Sequence, residues 1–328
     1  MISLIATVLN EGGSIRRLLN SIVAQTCQPD EIIFVDGGSR DDTVGIIESY
    51  ADRLPLRVLV EPGCNISAGR NRAIRAANGE IIAVTDAGVT LAPDWLQRIT
   101  EPLLKDPSVQ VVSGFFEADP HTVFEAAMGA TVLPLRDEIN PATFLPSSRS
   151  VAFRKSVWEA VGGYPEWLDY CEDLIFDLRL KQHFAPFAFA PEAVAHFRPR
   201  NSLSSYFKQY YRYARGDGKA DLWRKRHTIR YLTYLVAAPL ILLMGWLVHP
   251  LLWLGYLPGA AVYLYRPYRR LPVVLKRLPR VTLLDAVHAI ALVPVIRVVG
   301  DVAKMIGYPA GWYWRQRSRP PDWRRQPH

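Results

Sequence analysis

Glu31-Ile32-Ile33-Phe34-Val35-Asp36-Gly37-Gly38-Ser39-Arg40-Asp41-Asp42-Thr43 is the stretch that decides the fold. A β-branched apolar run stops at an aspartate, glycines turn the chain, and Asp41 or Asp42 is placed to cap a helix. The same grammar recurs along the first half of the chain. Strand-like runs occupy Ile2 to Val8, Arg57 to Val60 and Ile81 to Thr85, with helix-like segments at Ser14 to Ala24, Asp41 to Ala51 and Ser67 to Ala76 between them. Strand alternating with helix implies right-handed crossovers and an α/β domain with a mostly parallel sheet. Ligands bind such sheets beyond the carboxyl ends of the strands. Those ends carry Asn10 and Glu11, Asp36 to Ser39, and Asp86-Ala87-Gly88, so acidic and polar groups converge on one rim. The first strand-to-helix turn reads Asn10-Glu11-Gly12-Gly13-Ser14, which is not the G-x-G-x-x-G of a dinucleotide-binding dehydrogenase. Asp36, with the turn made by its glycines, is expected to be free to accept hydrogen bonds from a base or ribose.

With Asn10-Glu11 followed by Val35-Asp36-Gly37-Gly38-Ser39, the sequence resembles glycosyltransferase family 2. That resemblance implies a GT-A fold, a Rossmann-like sheet flanked by helices, and transfer of a sugar from a nucleotide diphosphate sugar with inversion at C1. It implies nucleotide-sugar contacts from Thr7, Asn10, Glu11, Asp36 and Gly38. It continues through Ala68-Gly69-Arg70-Asn71, one residue away from the family's Ala-Arg-Asn helix start, which places Arg70 or Asn71 near the diphosphate. The family's Asp-x-Asp holds a divalent cation that bridges the two phosphates. Here the element reads Asp86-Ala87-Gly88, without the second carboxylate. Mg²⁺ or Mn²⁺ held by Asp86, with weak metal binding before the nucleotide arrives, is the expectation.

The second half of the resemblance runs through Val161-Gly162-Gly163-Tyr164-Pro165 to Cys171-Glu172-Asp173-Leu174, which opens a helix. An inverting transfer needs a carboxylate that takes the acceptor hydroxyl's proton as it attacks. The resemblance assigns that base to Asp173, with Glu172 as the alternative. Acids complementing a helix N-terminus are the plainer reading of the same pair. His196, after the strand-like run Phe187 to Ala190, is a candidate extra metal ligand. Gln209-Tyr210-Tyr211-Arg212-Tyr213 resembles the Gln-x-x-Arg-Trp element of membrane polysaccharide synthases, with Tyr213 in place of Trp. Gln209, Arg212 and Tyr213 are thereby acceptor or diphosphate candidates, on a helix that also suits lipid headgroups.

The 328 residues carry a formal net charge of +8, gathered at Arg212 to Arg230, Arg266 to Arg280 and Arg315 to Arg325 around apolar blocks. That pattern suits an anionic membrane surface better than a nucleic-acid groove, so nucleic acid is not an expected partner. Cys27, Cys64 and Cys171 have neither disulfide-framework nor metal-ligand spacing, which points to a reducing, cytoplasmic compartment. Met1 to Leu9 is strand-like and lacks the features of an export signal. Tyr231 to Val248 and Leu251 to Tyr265 suit a membrane hairpin with basic flanks on the cytoplasmic side. Asp285, His288 and Arg297 make 281–299 an in-plane or re-entrant segment.

The expected organisation is a nucleotide-sugar-binding half (1–112), an acceptor half with the base (113–226) and a membrane-associated helical region (227–328). The expected activity is a hexosyl transfer to a lipid-linked or glycan acceptor at the inner membrane, with membrane lipids as further partners. A degenerate scaffold of the same fold leaves Glu172-Asp173 and Gln209 to Arg212 without purpose. A nucleotidyltransferase needs a basic Gly-rich loop after strand one, where Asn10 to Ser14 has no Lys or Arg.

Overall fold

The computed structural model describes residues 1–324, so Arg325 of the basic tail lies outside the described residues. The described residues form two compact units, one of residues 1–117 with 136–198 and 321–324, the other of 118–135 with 199–320.

The first unit is built on an eight-stranded mixed sheet. Its strands are β1 (Ile2–Val8), β2 (Glu31–Asp36), β3 (Leu56–Val60), β4 (Ile81–Val84), β5 (Val89–Leu91), β6 (Val111–Ala118), β7 (Val151–Arg154) and β8 (Ala188–Phe197), in the order β3-β2-β1-β4-β7-β6-β8-β5. β1 pairs in parallel with β2 and β4, and β2 with β3, whereas β7 runs antiparallel to β4 and β6, and β5 antiparallel to β8. The period of two divides each strand between two cores. Leu4, Ala6, Val8, Ile32 and Phe34 join one apolar cluster, while Ile5, Ile33 and Val35 join the other. The first face is covered by α1 (Ile15–Val23), α2 (Thr43–Glu48) and α4 (Trp95–Lys105), the second by α3 (Ile66–Ala76), α6 (Lys155–Ala160) and α7 (Glu172–Phe184).

The second unit is helical: α5 (Val123–Val132), α8 (Leu203–Ala220), α9 (Arg224–Leu232), α10 (Ala238–Leu247), α11 (Tyr256–Leu275) and α12 (Leu283–Ser318). Glycines let α8 and α12 pack backbone to backbone. A Cβ on Gly307 would overlap the Tyr211 carbonyl, one on Gly311 the Arg215 carbonyl, and one on Gly218 the Tyr308 carbonyl. Small residues at such crossings are a device of closely packed helices in membranes. α9 and α10 are joined by a π-helical turn at Thr233–Ala237, and Tyr256 Oη donates to the Ala238 carbonyl at 2.5 Å. Arg224–Leu247 and Leu283–Ser318 are each long and apolar enough to cross a membrane by length and composition. The latter departs from the expected short segment at 281–299. It is one 36-residue helix opened by a Thr282–Asp285 capping box, so the Asp285 charge serves the helix end. β8 is also longer than expected, because its pairing with β5 carries the strand past Ala190 to Phe197.

Candidate active site

The rim loops are stitched together before any ligand is considered. Asn10 adopts a left-handed backbone with φ of 55°, a conformation Asn tolerates better than most residues. Its Oδ1 accepts the Arg40 N–H at 2.9 Å, and its own N–H donates to Ser39 Oγ at 2.8 Å. The next two N–H groups donate likewise, Glu11 to Thr43 Oγ1 at 2.8 Å and Gly12 to Asp41 Oδ2 at 2.9 Å. Bonds from the Thr43 hydroxyl and the Gly12 N–H hold the Asp41 carboxyl below its ordinary range. The Glu11 carboxylate accepts from the Ser14 hydroxyl.

Asp36 is buried rather than free. Its Oδ2 accepts the Gly38 and Ser39 N–H groups at 2.9 and 2.8 Å, and its Oδ1 accepts the Ser39 hydroxyl at 2.5 Å. The tight turn that the glycines permit brings these donors back onto the carboxylate. Gly38, at φ of 94°, sits where an added Cβ would come within 3.1 Å of Pro62 Cα. Asp36 therefore shapes the loop that a nucleotide would meet. Thr7 faces α3, and Gly69 exists for that approach: a Cβ there would lie 2.9 Å from Thr7 Cγ2. The residue that departs from the Ala-Arg-Asn pattern thus seats the helix on β1.

Arg70 is the centre of the site. It is only 2% exposed, and its Nη1 reaches Glu172 Oε1 at 2.7 Å while Nη2 reaches Asp86 Oδ1 at 2.9 Å. Its guanidinium also lies 5.3 Å from the ring centroid of Tyr164, which stacks on Phe176. Burial alone would depress the Arg70 pKa, yet Glu172 and Asp86 together hold it above the ordinary guanidinium value. Asn71 is committed to the turn that precedes the acidic motif. Its Nδ2 donates to the Tyr164 carbonyl and Glu166 Oε1, both at 2.9 Å, and its Oδ1 accepts from Trp158 Nε1 at 3.0 Å and the Tyr164 N–H at 2.9 Å.

α7 brings three acids to this neighbourhood. Cys171, at the helix N-cap, is left-handed with φ of 64°, a costly conformation for a non-glycine residue that is found preferentially at functional sites. Glu172 is buried, and desolvation, then the adjacent Asp173 charge, raise its pKa to about 7 against the pull of Arg70. Asp173 is half-buried, with Oδ1 accepting the Leu174 N–H at 2.8 Å. One turn on, Asp177 is fully buried with Oδ2 lacking any hydrogen-bond partner, and burial, then Asp173, push its carboxyl well above the usual range.

Arg149 was not foreseen. No motif surrounds it, but the β4–β7 register, in which Val84 faces Val151, continues outward to set Asp86 against Arg149. Its Nε lies 3.7 Å from Asp86 Oδ2, and its guanidinium sits 4.7 Å from the Phe197 ring centroid. His196 is placed on β8 opposite Thr90. Gln209, Arg212 and Tyr213 lie on α8 in the second unit, where Gln209 Nε2 donates to Tyr213 Oη at 2.7 Å.

The donor set bears on the metal. Among the described residues no group of three or more His, Cys, Asp or Glu could hold an ion. Asp86 Oδ1 belongs to Arg70, leaving Oδ2 at the 29%-exposed edge. One such oxygen fits a hard cation that keeps its waters and takes its remaining ligands from phosphates, not a resident ion in a protein cage.

An α/β sheet with acids at its strand ends and a second acidic cluster on a following helix is the frame of a GT-A domain. In keeping with it, the chain is similar in fold to a mannosyltransferase from Pyrobaculum calidifontis, solved with GDP-Man and Mn²⁺. The TM-score is 0.56 at 20% identity, over 96% of this chain and 87% of that one. Residues 3–159, just under half of the chain, match the family model described as Glycosyl transferase family 2. Among curated relatives, it is 28% identical over 200 residues to the O-antigen chain rhamnosyltransferase WbaN of Salmonella anatum, covering 56% of this chain and 62% of the relative. It is 25% identical over 221 residues to the O-antigen chain rhamnosyltransferase RfbN of Salmonella typhimurium, covering 63% of this chain and 70% of the relative. The chain thus spans less than two thirds of the length of the Salmonella anatum relative. The family match contains Asp36, Arg70, Asp86 and Arg149, and ends before Glu172 and Asp173.

Proposed function

We propose that this chain transfers a sugar from a nucleoside diphosphate donor, with inversion, to a lipid-linked or polysaccharide acceptor on the cytoplasmic face of the inner membrane. The observation that carries the proposal is the Arg70 bridge, which ties Asp86 at a strand end to Glu172 beside Asp173. The donor-side acid and the acidic helix start are thereby held at one guanidinium. The O-antigen transferases among the relatives and the GDP-Man complex of the fold neighbour support the donor and acceptor classes.

The loops at Asn10 to Gly12 and Asp36 to Ser39, with Thr7, receive the nucleoside. Asp86, with His196 as a further donor, would hold Mg²⁺ or Mn²⁺ together with the diphosphate, and the ion would supply charge compensation for the leaving group. Arg149, at the same rim, faces the diphosphate. The acceptor oxygen attacks C1, the C1–O bond to the diphosphate breaks, and the hydroxyl proton passes to Asp173. Glu172 is buried and engaged by Arg70, so its role is to fix the bridge. Gln209, Arg212 and Tyr213 serve the acceptor.

The test is a screen of nucleoside diphosphate sugars for hydrolysis and thermal stabilisation, using the full chain recovered from membranes. Asp173→Asn should leave nucleotide binding intact and slow transfer by about 10²- to 10⁴-fold, the usual worth of a positioned base. Near-normal turnover in that variant would move the base to Glu172. Absence of hydrolysis with every donor would favour a degenerate scaffold.

A further inference from the structure

We propose that the first unit carries an aromatic shelf for the pyranose rings of a saccharide acceptor, which names the acceptor class for the transferase reading on which it rests. The shelf is a row of phenyl rings. Phe189 meets Phe144 edge to face at 5.4 Å between centroids, Phe144 lies 6.4 Å from Phe116, and Phe116 lies 6.3 Å from Phe197. This unit can bury a phenyl ring completely, as it does Phe34, Phe153 and Phe176 at 0% exposure. Every ring of the row instead keeps part of its surface open.

The strand order sets where the row lies. β7 runs antiparallel to both β4 and β6, so β4 and β6 point the same way and Phe116, near the end of β6, comes to the rim that holds Asp86. Phe197 pairs with Val89, which opens the strand just past Asp86. Arg149 joins the two: with Nε 3.7 Å from Asp86 Oδ2, its guanidinium sits 4.7 Å from the Phe197 ring centroid and 5.8 Å from that of Phe116. The loops that receive the nucleoside close β1 and β2, on the opposite side of β4 from β6 and β8. Nucleoside, diphosphate and shelf therefore follow one another across the sheet. The donor's own sugar is bonded to its diphosphate and stays by Asp86, whereas the row continues from Phe197 out to Phe189, so its occupant is a second saccharide.

The flanks of the row are charged. Arg149 and Asp86 stand at one side, and Arg136 at another, where it reaches Glu192 Oε1 at 2.6 Å and Glu117 Oε1 at 3.7 Å. Arg136 also lies 5.8 Å from the ring centroid of Phe115, which stacks on Phe116. A hydrocarbon chain laid along the phenyl rings would strip water from these charges and return no hydrogen bond. A pyranose meets both demands. The C–H groups of its flat face rest on the negative faces of the rings, and the hydroxyls around its edge bond to carboxylate and guanidinium groups. Apolar and aromatic walls with a few polar groups at fixed points are the ordinary build of a small-molecule site.

The test is a ligand-observed NMR titration of the full chain, held in a detergent without a sugar headgroup, against the methyl glycosides of glucose, galactose, mannose and rhamnose, a disaccharide of each, and cyclohexanol. At least one disaccharide should bind, more tightly than its own methyl glycoside and about tenfold more tightly than cyclohexanol. Phe144→Leu keeps an apolar side chain but removes the ring face, and should weaken that disaccharide by about tenfold, the scale of one lost ring contact. Phe144→Tyr keeps the ring and should bind as wild type does. Should this pair fail to fold, Phe189→Leu and Phe189→Tyr make the same comparison one ring further along. The proposal is overturned if no saccharide binds, if cyclohexanol binds as tightly, if the leucine variant binds unchanged, or if the tyrosine variant loses binding as fully as the leucine one. Hydrolysis of nucleoside diphosphate sugars by the wild-type chain is measured separately. Its absence would sink the transferase reading while leaving saccharide binding standing, and hydrolysis without saccharide binding would sink the shelf alone.

Discussion

Replacing Arg70 with alanine removes the bridge between Asp86 and Glu172. The guanidinium is 2% exposed and satisfies two carboxylates, and the partners differ: the Glu172 side chain is 8% exposed, whereas that of Asp86 is 29% exposed. Loss of the contact to the open Asp86 costs at most about 1 kcal/mol, as for surface pairs. Stranding the Glu172 charge adds to this, but because its carboxyl is already raised to about 7, protonation caps that part at about 1.4 kcal/mol for each pH unit above 7. At about 2–4 °C per kcal/mol for a unit of this size, Arg70→Ala should lower Tm by about 4 °C or more at pH 8. The cost should shrink at pH 5, because Glu172 then takes a proton and no bare charge is buried. Arg70→Ala with Glu172→Gln should recover much of the loss at pH 8, whereas two independent defects would add. The assay is thermal unfolding of detergent-solubilised protein at both pH values. A single-variant shift below about 2 °C, or a double variant no better than the single, would show that the bridge does not organise the site.

The pKa of Glu172 gives a further prediction with a definite sign. At about 7 it lies above the ordinary 4.5, so the folded chain holds this proton where the unfolded chain releases it. The stability that this contributes is complete below about pH 4.5 and is lost as pH rises to about 7. The Tm difference between wild type and Glu172→Gln should therefore fall across that window and level off above it, and a flat or rising difference would refute the assignment. A Cβ on Gly88 meets nothing within 4 Å, so Gly88→Asp should be accommodated and should tighten Mn²⁺ binding in the absence of nucleotide, as measured calorimetrically. Asp86→Ala should abolish transfer, and full wild-type activity in excess chelator would instead remove Asp86 from any metal role. Gly307→Val forces a side chain into the Tyr211 carbonyl and should cost about 3 kcal/mol or more, seen as a lower Tm, while Ala303→Gly on the same helix should cost about 1 kcal/mol.

What the sequence showed depended on whether a feature is local. The strand-turn-helix units and the acids that end them are local, because the period of two and the glycine turns sit within a dozen residues, and Asn10, Glu11, Asp36 and Asp86 all fell on the rim. What each side chain does there is not local. Asp36 was read as a free acceptor, but the turn that exposes a strand end also folds three donors back onto it. Asn71 and Arg70 are neighbours on one helix, and nothing in their spacing says that one would fasten the Gly163–Glu166 turn while the other bridges two acids. Periodicity has no direction either, and β7, which the sequence reading did not name, would in any case carry no sign of its antiparallel sense. Arg149 enters through that sense alone: run parallel to β4, the same strand would carry Arg154 toward the Asp86 end instead.

The arrangement that results shows how a chain with Gly88 holds the one remaining carboxylate of this element in place. In an Asp-x-Asp site the second acid helps hold the cation, and each acid limits the freedom of the other. Here Asp86 has no such partner, and two arginines fix it instead, Arg70 from the buried side at 2.9 Å and Arg149 from the open side at 3.7 Å. The longer contact is the one that can yield. Arg149 is therefore the residue whose removal should separate binding from folding. Arg149→Ala should change Tm far less than Arg70→Ala, while weakening nucleoside diphosphate binding by tenfold or more, as measured by titration calorimetry. Equal Tm losses in the two variants would show that Arg149 is a structural strut, and the open side of Asp86 would then have no residue assigned to the diphosphate.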